Sequence, residues 1–419
     1  MTGSPTRLRL DNGLRVVLDE HGDAGATGVT VVYGGGAHAD PDGQEGLAHL
    51  VEHLMFQGSA GYGAFAHFNY VQGLGGVVNA RTWLDHTEFY QEVPATGLEA
   101  LLAMEADRMA GFIADESRFR REIEVVKQEI RSGLAHPMAA FPWRWLAPLV
   151  RGGRSGAGDP AGSLNALDRL TLAQARAFFD AYYAPGDAVL AVSGHFATPK
   201  LTALIEELFG GIHARPSPGR VPAAVNHHDR THHVFAAPTA SAACAVAWPL
   251  AEGPASTQAV VYELLAKVLD TAVRDRARTA GPDLIRAWAA LGVHDLGLNC
   301  AAPSAIAAAF HLGDRAQARQ AVELAQRELQ ALAEGALTGS ALEACVRRER
   351  ISVGYGLDSF LHRSRELASY EFFLGAPAGA LRKDADLRAV RPQQLASAAR
   401  ALLRHAPISI ELAPHRESS

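Results

Sequence analysis

Two stretches of this 419-residue chain repeat one layout. DRLTLAQARAFFDAYYAPGDAVLAVSG (168–194) starts polar and continues as an alanine-rich, apolar-periodic helix. It then breaks at Pro185-Gly186 and ends in a buried strand over Val189–Val192. RAVRPQQLASAARALLRHAPISIELAP (388–414) has the same order, with its break at Pro407 and its strand over Ile408–Leu412. A layout that recurs after roughly 200 residues is the mark of an internal repeat, one α/β domain in each half. Chain length agrees, since domains run to about 100–200 residues each.

The first half opens with LRLDNGLRVVLDE, a strand-turn-strand pattern around Asn12-Gly13, followed by the β-rich VTVVYGGGAH. GLAHLVEHLMF reads as a helix, and two more helices are expected around 95–113 and 116–131. Between the halves, residues 210–233 are rich in proline, glycine and polar residues and read as a linker. The histidine pairs there, His227-His228 and His232-His233, have no cysteine or carboxylate framework around them and read as solvated linker residues.

Composition excludes several classes of function. A net charge of −6 without a long basic block points away from nucleic acid and anionic membranes. No run of 18 or more apolar residues occurs, so no membrane span is expected. MTGSPTRLRLDNGLRVVLDE has no apolar signal-like region. Cys244, Cys300 and Cys345 are odd in number and lack CxxC spacing, the pattern of reduced thiols in a cytoplasmic protein.

The chemistry lies in His49-Leu50-Val51-Glu52-His53. Residues four apart on a helix share a face, so His49 and His53 offer two imidazoles to one tetrahedral ion, and Glu52 points to the same side. This HxxEH order is the inverse of HExxH, with Glu52 placed as general base for a metal-activated water rather than as a ligand. With 18 histidines in the chain, the pentapeptide arises by chance in roughly one chain in 20. A catalytic ion needs a third protein ligand. In RREIEVVKQEIR, Glu122 and Glu129 lie two helical turns apart beside an Ile123, Val126, Ile130 stripe. Spacing alone leaves them equally readable as a solvated helix face.

GLAHLVEHLMFQG followed by a paired-glutamate helix resembles the pitrilysin/insulinase family of zinc peptidases, and within it the half-length branch that includes the mitochondrial processing peptidase. LDNGLRVVL, GGVVNARTWLDHTEFYQEVP with its NAxTxxDxT pattern, and YYAPGDAVLAVSGHF are similar to further segments of that family. The resemblance extends over most of residues 8–210. It implies that Glu129, 76 residues past His53 by subtraction, is the third ligand of one zinc ion, with Glu122 supporting the site. It also implies that Asn79 lies on an edge strand where an extended peptide adds as a further strand. Read from its own neighbourhood, Asn79 is equally a strand-end turn residue, and Asp85 and His86 are structural hydrogen-bonders.

The second half departs from the family. Members carry an Arg and a Tyr in a segment of the type LRxxxGLAY, whereas LIRAWAALGVHDLGLNC places Trp288 and Asp295 at those positions if Gly292 is the motif glycine. Arg286 and His294 are out of register. STQAVVYELLAKVLD, the counterpart of the HxxEH helix, contains no histidine. The expected fold is therefore α+β: two homologous α/β domains, each a mostly antiparallel sheet packed with helices. Residues 1–212 form the zinc-binding catalytic domain, 213–230 the linker and 231–419 a degenerate scaffold domain. The expected protein is a cytoplasmic zinc endopeptidase subunit acting on peptides. It forms a heterodimer with a homologous chain that supplies the Arg and Tyr, a homodimer being the weaker reading. The alternatives are a non-catalytic assembly subunit, like the respiratory-complex core proteins of this fold, and a zinc hydrolase acting on other substrates.

Overall fold

A computed structural model describes residues 4–22, 25–151, 160–219, 232–239, 241–250, 258–280, 284–292 and 304–414. The first sheet is built from β1 (Thr6–Arg9), β2 (Arg15–Glu20), β3 (Ala26–Tyr33), β4 (Val77–Thr82), β5 (Thr87–Pro94) and β6 (Ala188–Gly194), in the order β1-β2-β6-β3-β5-β4. Asn12-Gly13 makes the turn from β1 to β2, with Gly13 at φ 93°. A second sheet contains β7 (His232–Ala237), β8 (Ala242–Leu250), β9 (Leu284–Leu291), β10 (Ser304–Leu312) and β11 (Ile408–Pro414), in the order β7-β11-β8-β10-β9.

Without β1, both sheets follow one rule: first strand, last, second, fourth, third. In each, the first and last strands pair in parallel (β2 with β6, β7 with β11) and every other pair is antiparallel. The repeat read from the two helix-proline-strand segments is thus a repeat of whole sheet topology. The fold class is the expected one, mostly antiparallel sheets packed with helices.

Two compact units contain these sheets, and they are not contiguous in sequence. One comprises Met1–Ile130, Pro160–Val221 and Gly354–Arg382, the other Arg131–Asp159, Pro222–Val353 and Lys383–Ser419. The units therefore depart from the division into 1–212 and 231–419: residues 131–159 group with the second sheet and 354–382 with the first. Part of the 213–230 linker lies outside the described residues.

The reason is burial. β3 and β6 are covered along almost their whole length on both faces, as a continuous apolar run predicts. Val29, Val31 and Tyr33 point into the main core of the unit with Leu190, Val192 and Phe89. The opposite face takes the helix Phe360–Leu374, which packs on β3, β6, β5 and β2. Gly28 permits its close approach, since a Cβ there would come within 2.3 Å of the Phe360 carbonyl oxygen. Polar links then fix it. The Thr30 and Ser364 hydroxyls are 2.7 Å apart. Arg363 donates to both oxygens of buried Asp19 at 2.5 and 3.2 Å, and Ser193 donates to the same carboxylate at 2.8 Å. In the other unit, the helix Trp143–Val150 packs on β11.

Asp19 and Arg363 are both nearly inaccessible (side-chain exposures of 3% and 6%), and removing one partner of such a pair strands the other charge. Arg363→Ala is expected to destabilise the protein by about 3–5 kcal/mol in urea unfolding. Combining it with Asp19→Ala should recover part of that loss. An Arg363→Ala midpoint equal to the parent's would show that the pair does not hold this helix.

Candidate metal centre

The helix Leu47–Leu54 buries Leu47, Ala48, Leu50, Val51 and Leu54 in the first core, which turns His49, Glu52 and His53 to the remaining side. Its start has no capping side chain at the N-cap position. That residue is Gly46 at φ 100°, a left-handed value that suits glycine, with Ala161 and Gly162 backbone atoms 3.0 and 3.2 Å from where a Cβ would stand. Asp40 satisfies the free amides instead, accepting from Gly46 at 2.7 Å and Ala48 at 2.8 Å. Burial pushes the Asp40 carboxyl up to about 7 despite these hydrogen bonds.

The helix Glu116–Ala135 sends Phe119, Ile123, Val126 and Ile130 into the same core. Glu122 is buried and Glu129 half-exposed, and both carboxylates meet the histidines. The Glu129 Oε2 atom lies 3.5 Å from His49 Nε2 and 3.6 Å from His53 Nε2. One ligand atom from each of the three residues falls within 4.8 Å of the others, and this is the one such group of three among the described residues. Tetrahedral zinc with bonds of about 2.0–2.1 Å spaces its donors roughly 3.3–3.4 Å apart. Both Glu129–histidine separations are close to that spacing and the third lies within 4.8 Å, so the donor set suits one ion of that size, with a corner left for water.

Around this triangle the supports are specific. His53 Nδ1 is 3.3 Å from Glu122 Oε2, and Gln57 Nε2 donates to Glu122 Oε1 at 2.9 Å. A carboxylate on the outer nitrogen of a ligating histidine fixes which nitrogen faces the ion. Burial pulls the His53 imidazole down, but hydrogen bonds to Glu122 and Glu129 and the charges of Glu129 and Glu52 overcome it and raise the ring to about 10. Burial lowers His49, and the hydrogen bond from His53 lowers Glu129. Glu52 is buried beside the triangle without joining it, and its Oε2 accepts from the Thr82 hydroxyl at 2.6 Å.

Asn79 stands exposed on β4, the outer strand of the first sheet, against which the histidine helix packs. Its Oδ1 accepts from the Ala80 amide at 2.9 Å. Asp85 is 2.8 Å from His38, and His86 is buried against Phe372 and Phe373, so both serve the scaffold. In the second unit, Arg286 lies over the Trp288 ring and the helix Ala259–Ala280 has no histidine. His232 begins β7 and is 3.0 Å from Ser409. His227, His228, His294, Asp295 and Cys300 fall outside the described residues. The sequence reading missed Asp40, Gln57 and Thr82. The last was visible only as the unexplained threonine of NAxTxxDxT.

Comparison with known proteins places this geometry in context. The family profile described as "Insulinase (Peptidase family M16)" matches residues 15–141, and "Peptidase M16 inactive domain" matches residues 169–276. An uncharacterized zinc protease of Mycobacterium tuberculosis is 30% identical over 222 residues, 53% of this chain and 50% of that protein. The zinc protease PqqE of Helicobacter pylori is 27% identical over 216 residues, 48% and 46% of the two chains. The chain is thus matched over about half the length of these curated relatives. A crystal structure of a protease from Helicobacter pylori superposes with a TM-score of 0.86, at 19% identity over 99% of this chain and 100% of that one. No helix among the described residues is long and apolar enough to cross a membrane.

The carboxylates that would hold an ion here also favour a proton on His53. With the ring raised to about 10, it is protonated at every pH below that value, and a metal must displace the proton. Affinity for a divalent ion should therefore rise with pH up to that region. Zinc titrated calorimetrically near pH 6, below the point of about 7 where a zinc-bound water ionises, should release about one proton per ion. Buffers of different ionisation enthalpy measure that release. His53→Ala should abolish it, and zinc uptake without proton release would rule out this arrangement.

Proposed function

Because the chain belongs to peptidase family M16, the insulinase-like peptidases, we propose that it is the metal-carrying subunit of a zinc endopeptidase acting on peptides or small unfolded polypeptides. One observation carries this reading: His49, His53 and Glu129 converge at 3.5–3.6 Å while Glu52 stands beside them, held by another partner. An assembly subunit that binds no ion has no use for such a donor set, and the withdrawn histidines and the buried Glu52 and Glu122 are unfavourable to keep without compensating charge.

His49, His53 and Glu129 would hold one zinc ion, and Glu122 would orient His53 through its outer nitrogen. Zinc, when bound, polarises the scissile carbonyl and makes a water acidic enough to attack near neutral pH. Glu52 accepts the proton of that water as it attacks. It then delivers the proton to the amide nitrogen as the carbon–nitrogen bond breaks. The substrate would lie along β4 as an added strand, using outward backbone groups around Asn79 and Ala80.

The partner reading rests on the second half. Trp288 stands where the family resemblance expects an arginine, and the long helix Ala259–Ala280 carries no ligand histidine. A heterodimer with a homologous chain that supplies Arg and Tyr would complete the site. A cytoplasmic location is supported by the buried thiols of Cys244 and Cys345, neither of them in a disulfide.

Glu52→Gln should keep zinc at its parent stoichiometry while turnover of a quenched peptide falls on the order of 10²- to 10⁴-fold. Undiminished activity would refute the base assignment. In the same assay, the purified chain alone should turn over far more slowly than the chain mixed with its homologous partner. Full activity of the lone chain would remove the heterodimer reading.

A further inference from the structure

Glu52 presents two carboxylate oxygens, and one of them is already committed. Its Oε2 takes the only hydroxyl proton of Thr82 at 2.6 Å. The Thr82 oxygen in turn lies 3.2 Å from the Thr87 hydroxyl, and Thr87 donates to the Gly35 carbonyl at 2.7 Å. All three side chains are buried, Thr87 completely. Each threonine thus has its one proton placed, Thr87's on the backbone carbonyl and Thr82's on Glu52, and the 3.2 Å contact between the two hydroxyls is a packing contact. Among the described residues the Thr82 hydroxyl is the one donor to Glu52, which leaves Oε1 for a water.

Position in the fold gives this hydrogen bond its meaning. Thr82 and Thr87 face each other across the β4–β5 ladder as its terminal pair. Thr82 is also the last residue of the outer strand, three residues after Asn79. Valine has nearly the same shape and strand preference, so what threonine adds at this position is the hydroxyl that Glu52 accepts from.

We propose that Thr82 is a positioning residue for Glu52. Its hydroxyl pins one carboxylate oxygen so that the other faces the attacking water, and it ties the base to the strand along which the peptide lies. This inference rests on the hydrolase reading above. General-base catalysis depends on holding the acceptor within hydrogen-bond reach of the proton it takes, and a displacement of about 1 Å can cost roughly a hundredfold in rate.

The test compares Thr82→Val, which keeps shape and loses the hydroxyl, with Thr82→Ser, which keeps the hydroxyl. In the zinc-loaded chain with its homologous partner, Thr82→Val should lower kcat roughly ten- to a hundredfold with KM and zinc stoichiometry unchanged. Thr82→Ser should stay within about threefold of the parent. Crystal structures of the metal-free parent and both variants supply the second readout. The Glu52 carboxylate should keep its place in the parent and Thr82→Ser, and swing away in Thr82→Val. Should Thr82→Val not fold, Thr82→Ala removes the same hydroxyl with less bulk and is read identically. Parental kcat in the hydroxyl-free variant, or an unmoved carboxylate, overturns the proposal. Failure of the hydrolase reading shows separately, as a parent without Glu52-dependent turnover, and the crystallographic comparison then decides the role of Thr82 alone.

Discussion

The site depends on keeping His49, Glu52, His53 and Glu122 withdrawn from water at the meeting of two helices. Isolated buried charges are prohibitively unfavourable, so such groups persist only when they compensate one another. Here the compensation is lopsided. Glu122 and Glu129 both lean on His53, and between them they hold a proton on a ring that burial alone would neutralise. An excess of carboxylate around two imidazoles is a cage shaped for positive charge, and the proton on His53 is its smallest occupant. A rigid cage is needed for this, which explains why the start of the histidine helix is secured so firmly. Asp40 binds two of its free amides, and Gly46 adopts a backbone conformation disfavoured for other residues.

One sheet plan is used twice with different results at the outer strand. On β9 the Ala289 amide is taken by Asp270, a carboxylate from the helix Ala259–Ala280 that is also 2.8 Å from Arg274. On β4, also an outer strand, the Ala80 amide is met among the described residues by the exposed side chain of its own neighbour Asn79. A local amide side chain rotates away at small cost when a strand arrives, whereas an ion-paired helix carboxylate does not. On the peptidase reading proposed above, the edge beside the donor triangle is the one suited to strand addition.

Much of this was legible because the signals are local. Helix periodicity put His49, Glu52 and His53 on one side, and the proline-broken helix-strand segments exposed the repeat. Glu129 was different: its spacing from Glu122 fits a solvated face equally well, and only packing of the two helices decides which way it points. The exchanged segments were hidden altogether. The helix Phe360–Leu374 reads as an ordinary amphipathic element, and its polar partners, Thr30 for Ser364 and Asp19 for Arg363, lie 334 and 344 residues away. No local pattern encodes a pairing of that range. Thr82 was hidden for another reason, since a threonine at the end of a strand is unremarkable until a carboxylate is found 2.6 Å from it.

The exchange bears directly on the chemistry. Arg365, on the helix contributed by residues 354–382, donates to both oxygens of buried Glu88 at 3.1 and 2.5 Å, and Trp83 donates to the same carboxylate at 3.1 Å. Glu88 follows Thr87 and Trp83 follows Thr82, so this ion pair clamps the hairpin whose Thr82 reaches Glu52. A fragment ending after β6 would contain every donor of the triangle and the base itself. It would nevertheless leave Asp19 and Glu88 without their arginines and uncover one face of β3 and β6. The donors of the triangle belong to the first half of the sequence, but the scaffold that holds them in place is completed by the second.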